Sequence, residues 1–156
     1  IILGDVKHNI PNITFREEKE VPEFINELKK AFKEVVVVKG NHDGRIEGIV
    51  NCKVVKEMKV DGWILTHGHR KPKEKGKMIV GHTHPAIVFI DKMGKKTRMK
   101  TWLFGKIDGN EIIVMPAFSD LVSGCDVRDG LLGPILKRFK IGDAKIFLLN
   151  GVEIKV

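Results

Sequence analysis

The amino-acid sequence predicts an α/β fold on three observations. An apolar run, an amphipathic helix and a second, wholly β-branched run open the chain in that order. From Lys53 onward, short strand-like runs alternate with turn residues and helical periodicity nearly vanishes. The 156 residues, 42% of them hydrophobic, match one domain with a substantial core, residues 1–156.

Each element follows from its residues. Ile1-Ile2-Leu3 ends at Gly4-Asp5, as a buried strand ends in a loop. A helix is expected from Pro22 to Lys33, with Phe24, Ile25, Leu28, Ala31 and Phe32 on one face and Pro22 in its first turn. Val35-Val36-Val37-Val38 is β-branched and too short for a helix, so it reads as a strand buried on both faces. The strand–helix–strand order implies a parallel pair. Further strands are expected at Val54-Val55, Trp63–Thr66, Met78–Val80, Ala86–Ile90, Met99–Phe104 and Glu111–Met115. Gly94 and Asp108-Gly109-Asn110 supply hairpin turns, and Asn150-Gly151 predicts a type I′ turn between Ile146–Leu149 and Val152–Ile154. Gly124–Asp143 reads as a loop with a short helix near Ile135–Phe139.

Composition narrows the class. No apolar run reaches membrane-spanning length and no signal-peptide pattern begins the chain, which predicts a soluble, cytoplasmic protein. Cys52 and Cys125 form no CxxC pair or disulfide framework and read as buried free thiols. Between Arg70 and Lys100 lie ten basic residues against two acids, so this stretch carries the whole formal charge of +8 and the rest balances, 18 against 18. Such a field attracts a phosphate polyanion, although two solvated loops would show the same pattern.

All six histidines fall in four short loops, each following an apolar run: Gly4-Asp5-Val6-Lys7-His8, Gly40-Asn41-His42-Asp43, Thr66-His67-Gly68-His69 and Gly81-His82-Thr83-His84-Pro85. In open α/β sheets the carboxyl ends of strands are where sites assemble from distant sequence. Imidazole, carboxylate and amide ligands without thiolates suit catalytic Mn, Fe, Zn, Ni or Co, not a structural Cys-rich zinc site. Glycines before Asp5, Asn41 and His82 permit the tight turns that bring the side chains over the strand ends.

These blocks, GD-x-x-H, GNHD, a lone-histidine motif and GHTH in this order, resemble the calcineurin-like metallophosphoesterase family from Asp5 to Pro85. The GDVKH block is also similar to that of archaeal SbcD-related phosphoesterases. The resemblance implies a four-layer αββα sandwich with two mixed β-sheets. It also implies a phosphoesterase that hydrolyses phosphodiesters, DNA or RNA among them, by in-line attack of a metal-bound hydroxide. Asp5 would bridge two divalent ions, manganese foremost. Asn41, His67 and His82 would complete one ion's protein ligands, and His84 would bind the other; in an extended turn His82 and His84 point the same way. His42 would be the general acid, with Asp43 fixing its tautomer. His8, His69 and Arg70 are candidate substrate contacts.

One departure stands out. The family begins with D-x-H on its first strand, and none precedes Gly4 here. The expectation is a fragment lacking its N-terminal strand–helix unit, with the His84 ion's remaining ligands upstream and the isolated fragment's activity in doubt. Rival readings are a non-catalytic nucleic-acid-binding or scaffolding subunit with a degenerate metal site, and a phosphomonoesterase using the same residues. No membrane partner is expected.

Overall fold

Capping chemistry decides where the one α-helix starts. In the computed structural model, which describes residues 1–156, α1 spans Phe15–Ala31. The Thr14 hydroxyl accepts from Glu17 N at 3.2 Å, and the Glu17 carboxylate accepts from Thr14 N at 2.9 Å, a closed capping box. The helix therefore begins before Pro22, which lies inside it rather than in its first turn. The early turns, Phe15 to Glu20, are polar and carry no apolar period, so only the cap signals them. Of the expected apolar face, Ile25 is fully buried and Leu28 packs on the core, while Phe24 and Phe32 are exposed and Val21 is buried instead.

A small sheet lies under this helix. Strand β1, Val36–Val38, pairs in parallel with β2, Lys53–Val55, and on its other side Ile2 forms a parallel bridge to Val37. The parallel arrangement expected from strand–helix–strand order is present. Val35 and Val37 pack with Val21, Ile25 and Ile46; Val36 and Val38, alternating to the opposite side, are equally buried.

The large sheet is mixed. It contains β3 (Glu57–Val60), β4 (Trp63–Thr66), β5 (Lys77–Val80), β6 (Pro85–Ile90), β7 (Lys96–Ile107), β8 (Asn110–Val114), β9 (Cys125–Asp126), β10 (Lys145–Leu148) and β11 (Glu153–Ile154). Its spine runs β11-β10-β7-β8-β5-β4-β3, and the first part of the long β7 also pairs with β6, which pairs with β9. Strands β4, β5 and β8 run parallel, so Thr66, Val80 and Val114 end at one edge. That shared edge positions the histidine loops.

The turns follow local chemistry, with one correction. Asp61-Gly62 and Asp108-Gly109 each have two successive positive φ values and close two-residue hairpins of type I′. At Asn150-Gly151 only the glycine has positive φ. Because β10 pairs out to Leu148, whose N donates to Val152 O at 2.9 Å, three residues must bridge the strands, and Gly151 N donates to Leu148 O at 2.9 Å. The result is a type I turn plus a left-handed glycine, not type I′.

Residues 127–143 hold three 3-10 turns, Val127–Asp129, Leu136–Arg138 and Ile141–Asp143, the second of them within Ile135–Phe139, where a short helix is expected. Gly130, Gly133, Pro134 and Gly142 interrupt any longer helix. Val127, Ile135 and Leu136 nonetheless complete the core on Ile64, Leu103, Ile112 and Ile146. The architecture is thus mixed α/β, one helix and two sheets. No helix is long and apolar enough to cross a membrane.

Candidate metal centre

The four histidine loops come together where the two sheets meet. His67, just past β4, is 2% exposed, and its Nδ1–H donates to Leu3 O at 2.6 Å. A carbonyl can only accept, so this bond fixes the tautomer and turns Nε2 inward. Nε2 faces Asp5 Oδ2 at 3.1 Å and Asn41 Oδ1 at 3.2 Å. His82 joins Asp5 and His67 in a group whose ligand atoms all lie within 4.8 Å of one another.

This arrangement is a sound test of fit for a cation. Neutral Nε2 and the two oxygens are all acceptors, so their close approach calls for a protonated imidazole or a positive ion among them. Electrostatics agree. Burial pushes His67 down, but the bond to Asp5, the Leu3 carbonyl and the charges of Asp5 and Asp43 outweigh it and raise it above its ordinary value. Burial pushes the Asp5 carboxyl up, yet the bonds from His67 and from the His42 backbone hold it below the usual range. For His82 and His84, burial chiefly holds the imidazoles down, favouring the neutral form that a metal requires.

Close approach of the backbone builds the pocket. A Cβ on Gly40 would lie 2.1 Å from Asp5 Oδ1, and one on Gly4 would lie 2.5 Å from His67 Nδ1, so neither position has room for a side chain. Gly81 differs: its nearest contact would be 3.4 Å away and no positive φ is required. The strain falls instead on the ligand residues themselves, since Asp5, His82 and His84 have φ of 53°, 65° and 48°. Each such residue costs on the order of 1–3 kcal/mol and persists only where the surroundings impose it. His82 and His84 are therefore not in an extended turn, and only His82 joins the compact group.

Asp43 does not do what the sequence suggests. It is completely buried, and its carboxylate accepts from Asp5 N (2.7 Å), Gly40 N (2.8 Å), Val6 N (2.8 Å) and Lys7 N (3.3 Å). Both oxygens are thus occupied in clasping the Asp5 loop to the Asn41 loop. The tautomer of His42 is set by His8, whose carbonyl accepts from His42 Nδ1 at 2.5 Å. His42 N also donates to Asp5 Oδ1 at 2.9 Å.

The remaining candidates lie around this centre. The His8 side chain is exposed, with its ring 5.9 Å from that of His42. His69 sits 5.4 Å from the His67 ring and 6.2 Å from His82, and its Nδ1 is buried without a partner. Burial, then the charges of His67, Arg70 and His82, push it down to about 4. Arg70 is exposed next to it.

Two supports had no obvious sequence signal. Lys7 is 3% exposed, its ammonium held by the carbonyls of Asn9 and Asn12. Thr83 is fully buried, and its hydroxyl accepts from Leu132 N at 2.7 Å. Gly133 there packs so closely that a Cβ would lie 2.7 Å from Gly68 O and 3.1 Å from His82 Cδ2. The glycines at 130 and 133 were the available hint.

No protein-family model matches the sequence, and no curated protein matches it. Among solved structures, nuclease MPE of Pseudomonas putida is similar, with a TM-score of 0.61 and 23% sequence identity. The match covers 94% of this chain and 64% of that one, so this chain spans under two thirds of its neighbour's length. At this identity the likeness is one of fold.

Proposed function

We propose that the chain is one metallophosphoesterase unit of the calcineurin-like kind, hydrolysing phosphodiesters of nucleic acid with divalent metal. The observation that carries this reading is His67 Nε2 directed at Asp5 Oδ2 and Asn41 Oδ1, with His82 beside them at the strand ends. The nuclease of similar fold supports the choice of substrate class.

Asp5, Asn41, His67 and His82 would hold one ion, and Asp5 with His84 would contribute to a second, manganese being the first choice for both. Bound there, divalent ions supply Lewis-acid activation of water and offset charge on the phosphoryl oxygens. The protein's own groups do the rest. Asp43 and the Leu3 carbonyl fix the loops and the His67 ring, so the ligands require little reorganisation. His42, with Nδ1–H committed to the His8 carbonyl, has Nε2 turned free, and in its imidazolium form it would give the Nε2 proton to the leaving-group oxygen and be left as the neutral Nδ1–H tautomer. His8, His69 and Arg70 are the substrate contacts of this reading.

The test is hydrolysis of a single-stranded oligonucleotide, a chromogenic phosphodiester and a phosphomonoester by the full-length protein with Mn, Ni, Zn or no metal. Metal-dependent turnover of the diesters is expected. Turnover of no ester with any metal refutes the enzyme. Binding of the oligonucleotide without cleavage points instead to a binding subunit.

A further inference from the structure

The loop from Pro116 to Gly124 carries two large apolar side chains almost wholly in water, Phe118 at 100% and Leu121 at 97% exposure. Both of its ends are attached to the histidine loops. Met115 N donates to Val80 O at 2.7 Å, just before Gly81-His82, and Cys125 N donates to His84 O at 2.9 Å. Three residues of chain reach at most about 10 Å, so Phe118 stays near that edge.

The loop is braced rather than slack. Lys100 Nζ donates to Ser119 O at 2.8 Å and to Asp120 Oδ1 at 2.9 Å, and Arg98 Nη1 donates to Ser123 Oγ at 3.1 Å. Both belong to the β6–β7 hairpin, where Arg98, Lys92, Lys95 and Lys96 are exposed, while Lys100 is mostly covered and paired with Asp120. An exposed aromatic face beside a metal centre and a row of cations is the chemistry that single-stranded nucleic acid meets: phosphates follow the charges and an unpaired base covers the ring.

We infer that Phe118 is a specificity-determining residue that stacks on an unpaired nucleobase next to the scissile phosphate, so that the substrate is a single strand. The inference rests on the nucleic-acid phosphodiesterase reading above. Leu121, lacking a flat π-face, only widens the apolar contact.

Binding isolates this proposal from turnover. Fluorescence anisotropy with the full-length protein compares a labelled oligothymidylate with an abasic strand of equal length and charge, for wild type, Phe118→Ala and Phe118→Trp. Wild type and Phe118→Trp should prefer the strand with bases by roughly 5- to 100-fold, as expected for stacking on an aromatic, and Phe118→Ala should lose the preference while its melting temperature is unchanged. Absence of a preference in wild type, or its survival in Phe118→Ala, overturns the inference. So does a wild-type dimer that Phe118→Ala converts to monomer, which would make Phe118 a contact between copies. Base-dependent binding without hydrolysis would leave the stacking role standing and refute only the catalytic reading.

Discussion

At the residue scale, the centre depends on groups that never touch a ligand. Four backbone N–H groups converge on Asp43. Asp43→Ala leaves them unpaired in a buried place, where each such group costs about 1–3 kcal/mol. A stability loss of roughly 3 kcal/mol or more is expected as a lower urea midpoint, since part of the penalty relaxes as the loops part. His42 makes the opposite case. Its backbone N–H holds Asp5, and an alanine keeps that bond. His42→Ala should therefore retain metal affinity by calorimetric titration while hydrolysis falls by roughly 10²–10⁴-fold, the range for a lost general acid. Loss of the metal together with turnover would assign His42 to binding instead.

At the element scale, the start of α1 and the Asp5 loop are one structure. Glu17 accepts from Thr14 N at 2.9 Å and, through its other oxygen, from His8 N at 2.8 Å and Asn9 N at 2.9 Å. Desolvation pushes this carboxyl up, but these bonds dominate and lower it to about 2. A carboxyl held below its unfolded value contributes stability that is fully present above the unfolded pKa, near 4.5, and lost as pH falls toward about 2. The difference in melting temperature between wild type and Glu17→Gln should accordingly be constant near neutrality, shrink below about pH 4.5 and vanish near pH 2. A difference independent of pH would show that only the shape of the side chain matters. The cap also explains why α1 escapes a reading by periodicity, since a pair of side-chain-to-backbone bonds starts it where no apolar stripe exists. The β-strands are different. Val35–Val38 and Trp63–Thr66 stand out because β-branched and aromatic residues are bounded by turn residues within a few positions.

At the scale of the whole molecule, metal and fold are linked, because the ligands come from sequence positions as far apart as Asp5 and His82. A divalent ion that binds only the folded chain at a hundred times its dissociation constant adds about 2.7 kcal/mol, which for a domain of this size corresponds to a rise of roughly 5–10 °C in melting temperature. Manganese or zinc should produce that rise, chelator should reverse it, and His67→Ala should abolish it. The basic stretch acts at this scale too. Its residues lie before and at the start of β5 and around the β6–β7 hairpin, and part of the charge is locally offset by Glu111 on Lys77 and Asp120 on Lys100.

Some of this is decided in the sequence alone. Apolar runs that end in Gly-Asp, Gly-Asn-His-Asp and Gly-His-Thr-His state both that strands stop there and that ligands follow, because strand formation and ligand type are local properties. The mixed α/β class follows from the same local signals. Only the tertiary structure decided which atoms meet: Asp43 on backbone amides rather than on His42, His84 apart from the compact group, left-handed backbone at the ligands, and Leu132–Gly133 packed beneath His82. Each of these is set by the register of a sheet whose partners are far apart in the chain, and a side chain's spacing from its neighbours does not encode which distant oxygen or amide it will face.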